Sequence, residues 1–157
     1  MDTPISNWTI EELLKDAGER ANIIEESSIT SKSDVEDIFK NRGHAIIFHR
    51  HSPQPNAIGH WIAIIRNNKT NEVYYFDSLG DEPYNKAIPE VILRKYKKLY
   101  INDVPFQPDN TNSCGRHAVM VVALNKIGLT PKQIEHFLKT FDANDYVIKN
   151  IRGSASQ

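Results

Sequence analysis

Three stretches of this chain hold side chains able to do covalent chemistry together. They are Gly59-His60-Trp61-Ile62-Ala63-Ile64, then Tyr75-Phe76-Asp77-Ser78-Leu79-Gly80, and Gln107 followed by Asn112-Ser113-Cys114-Gly115. An imidazole, a carboxylate and the chain's only cysteine, in that order, are what a thiol nucleophile needs for its base, orienting acid and attacking atom. Cys114 stands where the turn-forming run Asp109-Asn110-Thr111-Asn112 gives way to an apolar helical run. Its sulfur is therefore expected beside unpaired backbone amides and the positive end of a helix dipole, both of which favour thiolate over thiol. A protonated His60 would favour it further. The thiolate would attack a carbonyl carbon, and the imidazolium would hand its proton to the leaving amine. Asp77 would hold the ring in the productive tautomer and offset its charge. Gly115, lacking a Cβ, lets a substrate backbone approach closely behind the nucleophile. Gln107 can aim its side-chain amide at the same developing oxyanion as the Cys114 backbone N–H. Trp61 points away from His60 in a regular strand, which would place it in the core, yet at a strand end its indole can instead wall the cleft and touch substrate, the slightly favoured of the two readings.

The elements that must position these groups follow from periodicity and punctuation. Thr9-Ile10-Glu11-Glu12 reads as a capping box opening a helix whose buried stripe is Ile10, Leu13, Leu14 and Ala17. Residues Asn22 to Lys32, polar and Ser-rich, read as a connection. Ser33-Asp34-Val35-Glu36 opens a second helix with Val35, Ile38 and Phe39 inward, closed by Gly43. Three strands are expected at His44 to Arg50, His60 to Asn67 and Glu72 to Leu79. The last two form an antiparallel hairpin through Asn68-Lys69-Thr70-Asn71. Centred on Lys69-Thr70, that hairpin sets His60 opposite roughly residue 78, within about one residue of Asp77, so imidazole and carboxylate can meet across it. Pro89 starts a third helix whose apolar positions run through Val91, Ile92, Leu93, Tyr96, Leu99 and Tyr100. An extended piece from Val104 to Gln107 and a loop from Pro108 to Ser113 lead into a helix from Cys114 to Asn125, hydrophobic all round and so central. Gly128 ends it. Thr130-Pro131-Lys132-Gln133 caps a last helix through Phe141, with Ile134, Phe137 and Leu138 facing inward.

At 157 residues and a net charge of −1 the chain fits one domain with a single core, taken as residues 1–152, followed by a frayed tail at 153–157. No global field draws it to nucleic acid or an anionic membrane. Neither a signal peptide nor a run of membrane-spanning length is visible, which gives the expectation of a soluble intracellular protein. A lone cysteine makes no internal disulfide and suits a reducing compartment.

Gly-His-Trp before an apolar strand, Tyr-Phe-Asp-Ser-Leu-Gly, and a Gln before a Cys-Gly helix start resemble the adenain-type viral maturation proteases and the related SUMO/ubiquitin-like-protein proteases. The likeness spans roughly residues 44 to 125, and its spacing is nearer the adenain branch. It implies an α+β fold, with a central helix bearing the cysteine packed on a small mixed or antiparallel sheet bearing the histidine and acid. It carries over His60, Asp77 and Cys114 as a triad and Gln107 as oxyanion donor. It further implies an endopeptidase cutting after small residues, often glycine, in capsid and core precursors. The partner would be a protein substrate, the enzyme a monomer without metal or organic cofactor, and the setting host cytoplasm, nucleus or virion. Two departures stand out. Adenain is activated by a peptide joined through a second cysteine, which this chain lacks. Adenain is also stimulated by DNA, and the densest basic stretch here is only Arg94 to Lys98.

Blander roles compete at each position. Free cysteine is among the most buried residue types, His60 could be a satisfied strand-end histidine, and Asp77 could cap the turn through Gly80. Gln107 could serve loop backbone. His117, one turn after Cys114, reads as a core or surface histidine. His44, His49 and His51 with His60 lack the acid or cysteine partners a metal site would want. The Arg94, Lys95, Lys97 and Lys98 face reads as solvated. Rival functions are a deconjugating protease for ubiquitin-like tails, a thiol acyltransferase with the same order of residues, and an inactive binding module.

Overall fold

A computed structural model of the chain describes residues 7–40, 43–50, 59–67, 70–96, 98–102 and 114–140. Helix α1 (Asn7–Asp16) is followed by strand β1 (Asn22–Glu25), a 3-10 turn (Glu26–Ser28), helix α2 (Lys32–Glu36) and strands β2 (His44–Arg50), β3 (Gly59–Asn67) and β4 (Glu72–Phe76). Helix α3 (Ala87–Lys95), strand β5 (Lys98–Ile101) and helices α4 (Cys114–Lys126) and α5 (Pro131–Thr140) complete it. The strands lie in the order β1-β2-β3-β4-β5. The two inner pairings, β2 with β3 and β3 with β4, are antiparallel, and the two edge strands run parallel to their neighbours. This is the mixed sheet of an α+β domain.

Helices cover both faces of the sheet. On one side Ile46, Trp61, Ala63, Ile65, Tyr74 and Phe76 pack with Ile10 and Leu14 of α1, the run Ala118 to Leu124 of α4, and Ile134 and Leu138 of α5. On the other, Ala45, Ile47, Ile62, Ile64, Val73 and Tyr75 meet Val35, Ile38 and Phe39 from α2 and the turns after it, and Ile88, Val91 and Ile92 of α3. Coverage on both faces is why the central strands read as continuous apolar runs without polar alternation. It also explains why α4, lodged between β3, α1 and α5, is apolar all round.

Several boundaries differ from those the sequence suggests. Helix α1 opens at Asn7, so Thr9 lies inside the first turn and does not cap it. The supposed connection after Asn22 contains an edge strand: Asn22 to Glu25 pairs with Ala45 to Phe48, and the Asn22 side-chain amide donates to the Ile38 and Lys40 carbonyls. The cap of α2 is Ser31, not Ser33. Its Oγ accepts the Asp34 N–H at 3.2 Å, while Asp34 Oδ2 accepts from Ser31 N–H and Thr30 N–H. Those donors, the Thr30 N–H foremost, hold the Asp34 carboxyl below its ordinary range.

Helix α3 begins two residues before Pro89, which sits within the first turn where a missing N–H costs nothing. It stops at Tyr96, whose φ of −112° and ψ of 156° are extended. Leu99 and Tyr100 therefore belong to a strand, not to the helical stripe expected for them. Leu99 and Ile101 turn to the α3 side and Tyr100 to the α4 side, a period of two. The last helix is capped as its sequence suggests: Thr130 N–H donates to Gln133 Oε1 at 2.9 Å, and Gln133 N–H to Thr130 Oγ1 at 3.3 Å. Phe141, the extended piece from Val104 to Gln107, the loop to Ser113 and the tail lie outside the described residues.

Candidate active site

The β3–β4 hairpin sets the relation between His60 and Asp77. Ala63 stands opposite Phe76 and Asn67 opposite Glu72. Within the connecting turn Asn71 takes a left-handed φ of 60° and returns its N–H to the Asn67 carbonyl at 2.8 Å. Continued one residue past β4, this register brings Asp77 into line with Ile62. The sequence-based estimate would have set it against Trp61. The single residue decides the face: in the slipped register His60 and Asp77 would lie on opposite sides of the sheet. In the observed one they share a side as diagonal neighbours. His60 Nε2 lies 2.5 Å from Asp77 Oδ1, and both side chains are buried.

Asp77 is fixed from several directions. Its Oδ1 also accepts the Leu79 N–H at 2.9 Å, and its carbonyl accepts the Gly80 N–H at 2.9 Å, closing a turn in which Gly80 takes φ 72°. Asn102, directly after β5, grips the Asp77 backbone on both sides. The Asp77 N–H donates to Asn102 Oδ1 at 2.8 Å, and Asn102 Nδ2 donates to the Asp77 carbonyl at 2.6 Å. Asn102 itself is 1% exposed, and its N–H extends the β4–β5 ladder by donating to the Tyr75 carbonyl. Sequence reasoning missed this residue. A polar side chain immediately after an edge strand is the available signal, but the spacing of Leu99 and Tyr100 continues the helical stripe of α3 and hides the strand.

With Nε2 committed to the carboxylate, Nδ1 is the ring nitrogen on the side away from Asp77. Two phenols close to Asp77 do not compete as bases. Burial, followed by the Asp77 charge, pushes the Tyr75 hydroxyl far above its ordinary value. Burial and the Asp81 carboxylate, which accepts the Tyr84 hydroxyl at 3.4 Å, push Tyr84 to about 12. Both stay neutral at physiological pH.

Cys114 is the first residue of α4, the helix packed against β3. Gly115 follows it and is buried. The Cys114 side chain and Gln107 lie outside the described residues. Trp61 is 1% exposed and packs in the core shared with α4, on the side opposite His60, as strand alternation requires. That burial fits the core role open to it better than the cleft wall. His117 is buried within α4. His44 lies at the other end of β2, opposite Ile65, whereas His49 stands in register with His60. Among the described residues no cluster of three or more His, Cys, Asp or Glu could hold a metal, and no helix is long and apolar enough to cross a membrane.

No protein-family model and no curated protein matches the sequence. Solved structures do. The ASFV protease is similar at a TM-score of 0.50 and 11% identity, over 93% of this chain and 61% of its own length. The SUMO protease Ulp1, with its catalytic cysteine oxidised to a sulfenic acid, is similar at 0.48 and 16%, over 98% and 80%. The Chlamydia trachomatis effector protein ChlaDUB1 follows at 0.47 and 14%, over 99% and 75%. The chain thus shares its α+β fold with the ASFV protease; His60 stands on β3, the strand against which the helix opened by Cys114 packs.

Proposed function

We propose that this chain is a cysteine-type peptidase acting on protein substrates, with Cys114 as nucleophile, His60 as base, Asp77 as orienting acid and Gln107 as oxyanion donor. The observation that carries the reading is the buried His60–Asp77 pair on one strand hairpin, with the only cysteine opening the helix packed on the same strand. In the proposed reaction the Cys114 thiolate forms a bond to the scissile carbonyl carbon, and the oxyanion is met by the Cys114 N–H and the Gln107 amide. The carbon–nitrogen bond then breaks as the His60 imidazolium gives its proton to the leaving amine. Water, deprotonated by the same ring, hydrolyses the thioester and regenerates the thiol. Gly115 leaves room for the substrate backbone, and Trp61 supports the site from the core beneath it.

For the substrate we propose precursor polypeptides of capsid or core type, cut after small residues. The test is to incubate the protein and its Cys114→Ala variant with candidate structural precursors and with a ubiquitin-like protein fused through a Gly-Gly tail, then to sequence the new N-termini. Cleavage of precursors by the parent protein alone supports the proposal. Cleavage only after Gly-Gly would replace the substrate class with ubiquitin-like conjugates. Acetyl transfer from coenzyme A without proteolysis would replace the reaction, and cleavage by both proteins would remove Cys114 from the chemistry.

A further inference from the structure

Asp77 lies one residue beyond β4, where the sheet's own ladder no longer fixes its backbone. A carboxylate that must orient a ring to within a few tenths of an ångström cannot depend on an unsupported peptide, because a displacement of about 1 Å can cost on the order of 100-fold in rate. Asn102 supplies the support. Its amide satisfies the Asp77 N–H and C=O together, which is what a neighbouring strand would do, and it is buried at 1% exposure. Its own N–H ties it to Tyr75, so the grip is referenced to β4 itself.

We infer that Asn102 is a positioning residue for the peptidase reaction, setting Asp77 against His60 and acting on Cys114 only through that pair. The inference rests on the peptidase reading proposed above. Asn102 directly follows β5, so its side chain also ties the acid to the end of that strand. A structural role alone would lower stability and leave the site's ionisation unchanged. If the residue positions the acid, its removal weakens the carboxylate's hold on the imidazolium, and the thiolate then forms only at higher pH.

The experiment is the pH profile of iodoacetamide alkylation, which reports Cys114 because the chain has no other cysteine, together with kcat and KM on a cleaved substrate. The parent protein, His60→Ala, Asp77→Asn, Asn102→Ala and Asn102→Ser are compared, with far-ultraviolet circular dichroism as a check on folding. Asn102→Ala is expected to move the alkylation midpoint to higher pH in the same direction as Asp77→Asn, and to lower kcat by about tenfold or more with KM little changed. Asn102→Ser, whose hydroxyl serves one of the two backbone groups, should fall between. A folded Asn102→Ala protein with unmoved midpoint and kcat, while Asp77→Asn shifts both, overturns the positioning role and leaves the peptidase reading standing. A parent protein whose midpoint equals that of free cysteine and ignores His60→Ala overturns the peptidase reading instead. Should the alanine and serine variants both fail to fold, amide exchange in the parent protein decides: a protected Asp77 N–H supports the grip, and exchange at the rate of a free surface amide refutes it.

Discussion

His60 and Asp77 are held so closely that each substitution there has a distinct expected signature. His60→Ala and Cys114→Ala should each abolish cleavage while the circular dichroism spectrum stays that of the parent, and retained turnover in either would contradict the assigned roles. Asp77→Asn should cost less, because an amide can still accept the Leu79 N–H and hold the ring loosely. Equal losses in Asp77→Asn and Cys114→Ala would give the acid a more direct part. At this scale the meeting of His60 and Asp77 was legible in the sequence, since each sits in a short motif with its own chemistry and the hairpin joins the two locally. Asn102 was not. Its partner lies 25 residues away and is backbone, so nothing in the local pattern marks it.

Elements were legible where their punctuation is local. The Thr130–Gln133 box and the apolar length of α4 are examples, because capping and amphipathicity depend on residues within one or two turns. The edge strands were not, for a physical reason. Both β1 and β5 have only four residues and pair in parallel with partners far along the chain, so their hydrogen bonds are tertiary. In β5 the alternation of Leu99, Tyr100 and Ile101 ran on from the helical spacing of α3, and parallel pairing to β4 decided between the two periods. Capping energetics supply a prediction at this scale. Ser31→Ala removes the acceptor for the Asp34 N–H at the start of α2 and should cost about 1 kcal/mol in a denaturant titration, with the slope unchanged. Within α4, Leu124→Ala should cost about 2–5 kcal/mol, since the side chain is fully enclosed by the core. A loss under about 1 kcal/mol would mean that the surrounding packing collapses into the space.

Across the whole molecule two partly buried groups give stability opposite dependences on pH. Burial, reinforced by the Arg66 charge, holds the His44 imidazole below its ordinary 6.5. The unfolded chain binds that proton more readily, so His44 costs stability as pH falls from 6.5 through the lowered value. Burial raises the Glu19 carboxyl above its ordinary 4.5, although Lys126 Nζ stands 3.5 Å from it. Its contribution is full below 4.5 and is lost as pH rises through the raised value. Between pH 7 and pH 5, His44→Leu should therefore lose less melting temperature than the parent protein, and an equal loss would assign the acid sensitivity elsewhere. The two-faced core has another outcome. Since α4 both seals one side of the sheet and begins with Cys114, a nascent chain emerging from the ribosome completes its hairpin well before it can dock that cysteine. Until that helix seats, an incomplete or misfolded copy would carry its cysteine apart from the His60–Asp77 pair, so the peptidase activity proposed above would be switched on only by finished folding.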